Sequence, residues 1–290
     1  MRKIGPSELI LNPDGSIYHL NLKPEHVAPQ VIFVGDQDRV DKVAKNFDHI
    51  EFRTQKREFK TVVGSYRNKR FTVISTGIGP DNIDIVLNEI DALVNIDLIT
   101  RTLKTDHTSL QIIRIGTSGS LQQDIPVDSI VLGKYGLGFD GLLHYYQARH
   151  IMETEIEEAF IAHCSYPAER SRPYVIKGSE LLKRKLFSDE IFGGITATAI
   201  GFYGPQGRVL RLPVQDEEMN HKIESFRFDK QRVTNFEMET SAIYGLSTLM
   251  GHEALSMNVI IANRPNLTYS KDPDAAIEKL IQYTLNKLSE

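Results

Sequence analysis

A single cysteine, Cys164, stands in a chain of 290 residues, so no intrachain disulfide is possible. That fits a reducing compartment. Thiol catalysis would need a positioned histidine and a lowered pKa, and His163 is adjacent in sequence only. No block of lysine and arginine occurs, and the formal net charge is -4. Neither nucleic acid nor an anionic membrane is therefore an expected partner. A run of about 18 apolar residues is missing, which argues against a membrane span. Met1 to Asn12 lacks the apolar stretch of a secretory signal, and a cytoplasmic location is expected.

What is present has the balance of a soluble globular domain, with 41% hydrophobic and 25% charged residues. Short apolar runs rich in Val and Ile predict buried strands at Val31–Val34, Phe71–Ser75, Gln111–Ile115, Ser129–Gly133, Tyr174–Lys177, Thr196–Ile200 and Ala254–Ala262. Helical periodicity predicts a helix from Asp81 to Ile96. It buries Ile83, Val86, Leu87, Ile90, Leu93 and Val94 and leaves Asp84, Asn88 and Asp91 outside. Further helices are expected at Glu237–Leu249 and at Asp274–Leu288, the latter with Pro273 near its first turn. Asp97 to Leu110 is polar and reads as a loop. Strand–helix alternation over residues 1–290 implies a single α/β domain around a central sheet.

Ligands of open α/β sheets gather at the carboxyl ends of strands, and several of these strands end in unusual loops. Gly35-Asp36-Gln37-Asp38-Arg39 offers backbone N–H groups to an anion and an Arg one turn into a helix; an ordinary strand-to-helix turn is the bland alternative. Ser75-Thr76-Gly77-Ile78-Gly79-Pro80 lacks both the P-loop ending and the dinucleotide fingerprint, and tight backbone packing explains it equally well. Arg114 lies inside the apolar run Ile112-Ile113-Arg114-Ile115. A buried guanidinium is costly alone, so an anionic neighbour is expected: a bound anion or an internal carboxylate. Thr117 and Ser118 add hydroxyls nearby. Gly201-Phe202-Tyr203-Gly204-Pro205-Gln206-Gly207-Arg208 gathers an aromatic ring, a carboxamide and a guanidinium on one loop. Such groups hydrogen-bond the edge of a flat heterocycle and stack on its face. Asn235 to Glu239 reads as a helix opening, where a carboxylate serves either the helix dipole or two vicinal hydroxyls.

Taken together, Gly35-Asp36-x-x-Arg39, Arg57-Glu58-Phe59, Ser75 to Gly79, Arg114 to Thr117, Phe202 to Arg208, Phe236-Glu237-Met238-Glu239 and Asn263-Arg264 resemble the nucleoside phosphorylase-I family, from about His19 to Leu288. The resemblance implies a central mixed β-sheet flanked by helices, no organic cofactor, and inorganic phosphate as co-substrate. It implies that Gly35, Arg39, Arg114 and Thr117 hold phosphate, joined by Arg57 from a neighbouring subunit. His19, also from the neighbour, would meet the ribose 5′-hydroxyl, with Met238 and Glu239 on the ribose. Gln206 and Arg208 would read the base edge, with Phe202 against its ring. Ser118, Gly119, Glu237, Ile261 and Ala262 would line the base pocket. Arg114, Arg264 and Glu239 would carry the catalysis. A dimer or hexamer follows if the site is shared. A potassium-class cation would sit between subunits at Glu58, Ile78 and Asn82, where Asn82 replaces a family Ser.

Where purine-cleaving members carry an Asp that protonates the base, this chain has Asn263-Arg264. A guanidinium does not titrate usefully, yet it stabilises charge spread over a departing uracil. The pyrimidine branch, with phosphate-dependent cleavage of uridine to uracil and ribose 1-phosphate, is therefore the expectation. Two alternatives stand beside it. One is a purine nucleoside phosphorylase or nucleoside hydrolase of the same fold; the other is a non-catalytic nucleoside-binding protein. Gln37 in place of the family Pro, Gly79 to Asn82, the exchanged Gly204-Pro205 and an apparent insertion at residues 97–110 are departures from the pattern.

Overall fold

The computed structural model describes residues 3–290. A parallel β-α unit opens the sheet, with β1 (Gln30–Val34) leading into α1 (Gln37–Ala44). Three antiparallel-linked strands follow, β2 (His49–Lys56), β3 (Phe59–Tyr66) and β4 (Lys69–Ser75), and then α2 (Pro80–Asn95). A two-residue ladder, β5 (Ile96–Asp97) with β6 (Thr102–Leu103), interrupts the segment expected to be a plain loop. Next come β7 (Gln111–Ser120), β8 (Ile130–Gly138), α3 (Thr154–Cys164), β9 (Tyr174–Lys177), α4 (Glu180–Leu186) and β10 (Phe192–Thr198). The last third holds α5 (Met219–Ser225), β11 (Arg227–Phe228), β12 (Gln231–Glu237), α6 (Thr240–Leu249), β13 (Glu253–Asn263), β14 (Thr268–Tyr269) and α7 (Pro273–Ser289).

Twelve strands form one mixed sheet in a single α/β domain. Within it β7, β13, β8, β10 and β12 close into a ring, because β12 pairs back onto β7 at Asn235–Ser120 and Phe236–Gly119. Closure removes two exposed edges. It also sets the end of β12 beside the far half of β7. The strands β1, β4, β3 and β2 extend from β7 as a wing. β1 is parallel to β4 and to β7, with Val34 level with Ser75 and Ile115, so the loops after β1 and β4 emerge beside the middle of β7.

The apolar face expected for α2 is buried as drawn, Ile83, Val86, Leu87, Ile90, Leu93 and Val94 all lying in the core. Pro273 sits in the first turn of α7, capped by the Asp272 carboxylate on the Ala275 N–H at 3.0 Å. Three sequence expectations need correction. β10 ends at Thr198, and Ile200 is 60% exposed, because the chain leaves the sheet there for the loop that follows. Asn235 to Glu237 finish a strand, and the helix begins only at Thr240. The strands β2, β3 and β12 were not expected at all. β2 alternates only between exposed and half-buried positions, whereas β12 buries Thr234 and Asn235 by hydrogen-bonding them to Ile195 O and Ser118 Oγ. Neither pattern looks apolar in sequence. Among the described residues no helix is long and apolar enough to cross a membrane.

Phe33, fully buried in β1, and Phe202, 52% exposed, give contrasting tests of this packing. Phe33→Ala should lower the unfolding free energy in urea by about 3–5 kcal/mol. Phe202→Ala should change it by no more than about 1 kcal/mol.

Candidate active site

The sheet positions a guanidinium in its own interior. Arg114 projects from the middle of β7 and donates to Asn258 Oδ1 at 2.8 Å, and it makes a short contact with Glu239 Oε2. Glu237 Oε2 is 3.4 Å away. The guanidinium lies folded along its own strand, where a Cβ on Gly116 would meet Arg114 Nη1 at 1.6 Å and Asn258 Oδ1 at 2.4 Å. Only glycine leaves that space. Glu239 accepts the Gly79 N–H at 2.8 Å, and Gly79 itself has φ of 100°, a conformation glycine adopts without strain. The Gly-rich loop after β4 therefore delivers a backbone donor to a carboxylate. Burial pulls the Arg114 pKa down, but Glu239 and Glu237 more than offset this and the net direction is up. Burial pushes Glu239 upward, Arg114 opposes and Glu237 adds to the rise.

The anionic neighbour expected for Arg114 is thus an internal carboxylate, and that carboxylate is the candidate ribose ligand. Glu237 is committed to the protein. It accepts from Thr198 Oγ1 at 2.8 Å, from the Glu239 N–H at 3.0 Å and from the Thr240 N–H at 3.0 Å, which satisfies the start of α6. Met238 is half-buried between these two carboxylates in the chain.

Arg39 enters from α1, whose N-cap Asp36 accepts the Arg39 N–H at 2.8 Å. Its Nη2 lies 2.9 Å from Asp36 Oδ2 and its Nη1 3.5 Å from Ile115 O, next to Arg114 in sequence. Gly35 faces it, with 3.9 Å between a Cβ built there and Arg39 Nη1. Burial lowers the Arg39 pKa, Asp36 opposes this, and Arg114 adds to the fall. Gly35, Arg39, Arg114, Gly79 and Glu239 therefore share one locality.

In a second cluster the guanidiniums bond only neutral acceptors. Gln206, 2% exposed, lies in a 3-10 turn at Gly204–Gln206. Its Oε1 accepts from Arg208 Nη1 at 2.7 Å and from Arg264 Nη2 at 2.7 Å, which fixes the amide with its nitrogen turned from both. Arg264 Nη1 also donates to Gln206 O at 2.5 Å. A Cβ on Gly119 would come within 3.4 Å of Arg264 Nε, and that nitrogen is buried without a hydrogen-bond partner. Burial, with the Arg208 charge beside it, pushes the Arg264 pKa down to about 10. Arg264 remains a cation at neutral pH. The Arg208 guanidinium lies 3.7 Å over the Phe202 ring, so one face of Phe202 is covered by a side chain. Asn263 is occupied: Nδ2 donates to Gln122 O at 2.9 Å and Ile125 O at 2.7 Å, and Oδ1 accepts the Asn266 N–H at 2.9 Å.

The far half of β7 bridges the clusters. Thr117 is half-buried, Ser118 Oγ accepts from Asn235 Nδ2 at 3.0 Å, and Gly119 pairs with Ala262. Ile261 is the extra residue of a β-bulge between Ile260 and Ala262, a device common beside sites. His19 and Arg57 form a third group, both in contact with Tyr18. The His19 ring meets it edge-on at 4.8 Å and the Arg57 guanidinium lies 5.9 Å from its centroid. A cavity of about 870 Å³ lies on the loop that carries Tyr203, Pro205 and Arg208, but Arg39, Arg114 and Glu239 do not line it. It is separate from the Arg114–Glu239 pair.

At the cation position that the resemblance implies, Asn82 Nδ2 donates to Ile78 O at 3.4 Å. Asp91, His107 and His252 bring ligand-type atoms within 4.8 Å of one another. His252 Nδ1 accepts the Leu110 N–H at 3.2 Å, so its Nε2 carries the proton, facing Asp91 Oδ1 at 3.3 Å. That tautomer has no lone pair for a metal. Cys164 is buried, its thiol pushed up to about 12 by burial, and His163 Nε2 bonds to Lys222 O and Ser225 Oγ instead. Sequence reasoning overlooked Asn258, and it named Gly79 without its part in holding Glu239. Asn258 carried a usable signal, a polar residue inside an apolar strand, as Arg114 did.

The model of the phosphorylase superfamily matches residues 29–285. The chain belongs to the phosphorylase superfamily. Within that superfamily it is 27% identical over 263 residues to a uridine phosphorylase of Thermococcus kodakarensis, covering 89% of this chain and 81% of the relative. It is 27% identical over 257 residues to a uridine phosphorylase of Haemophilus influenzae, covering 86% of each. A Trypanosoma brucei nucleoside phosphorylase whose crystal structure shows uridine phosphorylase activity superposes with a TM-score of 0.87 at 30% identity, over 97% of this chain and 99% of that one.

The Gly116 contact gives a sharp test of this arrangement. Gly116→Ala should expel the Arg114 guanidinium, keep the far-UV circular dichroism spectrum, and lower stability by about 1–3 kcal/mol. In titration calorimetry it should weaken binding of inorganic phosphate about tenfold or more.

Proposed function

We propose that this chain catalyses the phosphate-dependent, reversible cleavage of uridine to uracil and ribose 1-phosphate. The observation that carries the reading is the pair of guanidiniums, Arg208 and Arg264, gathered on Gln206 beside an Asn263 whose polar atoms are all engaged. Nothing there donates a proton to a purine ring nitrogen. Everything there favours negative charge on a dione. The relatives named above, uridine phosphorylases over most of their length, point the same way.

In this mechanism a phosphate oxygen attacks C1′ while the C1′–N1 bond breaks through an oxocarbenium-like state. The electron pair of that bond goes to the uracil ring and its carbonyl oxygens, where Arg208 and Arg264 stabilise it. The uracil anion then takes a proton from water. Arg39 and Arg114, with the Gly35 N–H and Thr117, hold the phosphate, and Glu239 holds the ribose hydroxyls alongside Met238. Ser118, Gly119, Ile261 and Ala262 enclose the base. Positioning and fixed charge supply the rate, with no side-chain nucleophile. For phosphate and ribose to be held together, Arg114 and Glu239 must each exchange a partner.

His19 and Arg57 serve a neighbouring subunit, which makes a dimer the minimum active unit. Both side chains lie against Tyr18, which supports their serving one common neighbour. The reaction is placed in the cytoplasm, in keeping with one buried cysteine.

Uracil release should be measured from uridine, and hypoxanthine release from inosine, each with and without phosphate. The expected result is turnover of uridine with phosphate alone. Faster cleavage of inosine, or undiminished cleavage without phosphate, would overturn the reading. Arg39→Ala should lower kcat/KM on the order of a hundredfold, the effect of losing about 2–4 kcal/mol of charge stabilisation.

A further inference from the structure

Glu89 stands on α2, and its hydrogen bonds go to one short segment. Its Oε1 accepts the His19 N–H at 3.0 Å, and Oε2 accepts the His19 N–H at 3.1 Å and the Leu20 N–H at 2.9 Å. Those bonds alone would anchor the backbone. The fourth does something else: Oε1 also lies 2.6 Å from His19 Nδ1. A carboxylate only accepts, so Nδ1 must carry the proton. In the neutral imidazole that makes Nε2 the acceptor. Among the described residues Nε2 makes no hydrogen bond, and the His19 side chain is 26% exposed. The ring cannot easily turn. Tyr18 meets it edge-on at 4.8 Å and an 81° interplanar angle, and Phe59 at 6.5 Å and 79°. One acceptor atom is therefore held outward at a fixed angle and in one tautomer.

We propose that Glu89 is a positioning residue that sets His19 Nε2 to accept the ribose 5′-hydroxyl, and that the pair thereby selects nucleosides carrying that hydroxyl over 5′-deoxy nucleosides. This rests on the reading above, in which His19 serves the ribose of a neighbouring subunit. A polar atom built to meet a hydroxyl discriminates strongly against a ligand lacking it, because it is then left unpaired. Loss of Glu89 frees the tautomer, and the matched acceptor becomes a mixture of acceptor and donor.

The experiment compares kcat/KM for uridine and for 5′-deoxyuridine in the full-length protein, His19→Ala, Glu89→Gln and the double variant. Wild type should prefer uridine by at least about tenfold, in line with a site that bonds a hydroxyl. His19→Ala should bring the ratio near one, Glu89→Gln should lower it by most of that factor, and the double variant should lose nothing further. A purely structural role would reduce both substrates together and leave the ratio intact, which would overturn the proposal. A second readout needs no variant of Glu89. The ¹⁵N shifts of the His19 imidazole in wild type, identified by their loss in His19→Ala, should report an Nδ1–H tautomer. An Nε2–H tautomer would overturn it as well. Failure of the parent reading looks different: wild type then releases no uracil from either substrate. If wild type is active but His19→Ala leaves the ratio unchanged, this inference fails while phosphorolysis stands.

Discussion

The rest of the structure is arranged around a guanidinium buried in a β-sheet. Arg114 leaves the middle of β7 where its neighbours in sequence are Ile113 and Ile115, both fully buried. A charge there is tolerable only while it is paired. The fold supplies what it needs from three directions: Asn258 from β13, Glu237 and Glu239 from the end of β12, and room from Gly116 on its own strand. Closure of the five-strand ring is what carries the end of β12 to β7. Gly79, in the loop after β4, fixes the other oxygen of Glu239. Remove any one of these and a buried charge or donor is left alone.

The two halves of the site handle charge in opposite ways. Around Arg114, carboxylates and guanidiniums balance one another, which suits ligands that displace a partner and replace its bonds. Around Gln206, two guanidiniums meet with only neutral acceptors, and Arg264 Nε is buried without any. Such an arrangement costs stability in the fold and is the kind of local conflict that marks a working site. It is complementary to a base that gains negative charge as its bond to the sugar breaks. Glycine is required at Gly116, where a side chain would occupy the space of Arg114.

Much of this was legible in the sequence, and the failures have physical reasons. The face of α2 could be read because its burial follows helical periodicity. Arg114 stood out because a charge in an apolar strand breaks the pattern, although its partner could not be chosen between an anion and a carboxylate. The answer required the ring closure, a contact between residues more than a hundred positions apart. The Gly-rich loop after β4 was ambiguous for the same reason. The end of β12, Asn235 to Glu237, reads as a helix opening in sequence because its buried polar residues are satisfied by partners remote in the chain. Phe202 could be placed on the base loop, but its stacking against Arg208 depends on how the 3-10 turn folds the loop back. His19 and Arg57 both contact Tyr18, a proximity that their separation in sequence does not reveal.

Since Arg114 and Glu239 bond to each other, a nucleoside whose hydroxyls engage Glu239 should release Arg114 for phosphate. The two ligands are then coupled, and reciprocally so. The direct measurement is calorimetric titration of inorganic phosphate with and without a saturating uridine analogue whose carbon–carbon glycosidic bond cannot be cleaved. The account predicts that the analogue tightens phosphate binding by about fivefold or more. Equal affinity in the two titrations, or weaker binding with the analogue present, would contradict it.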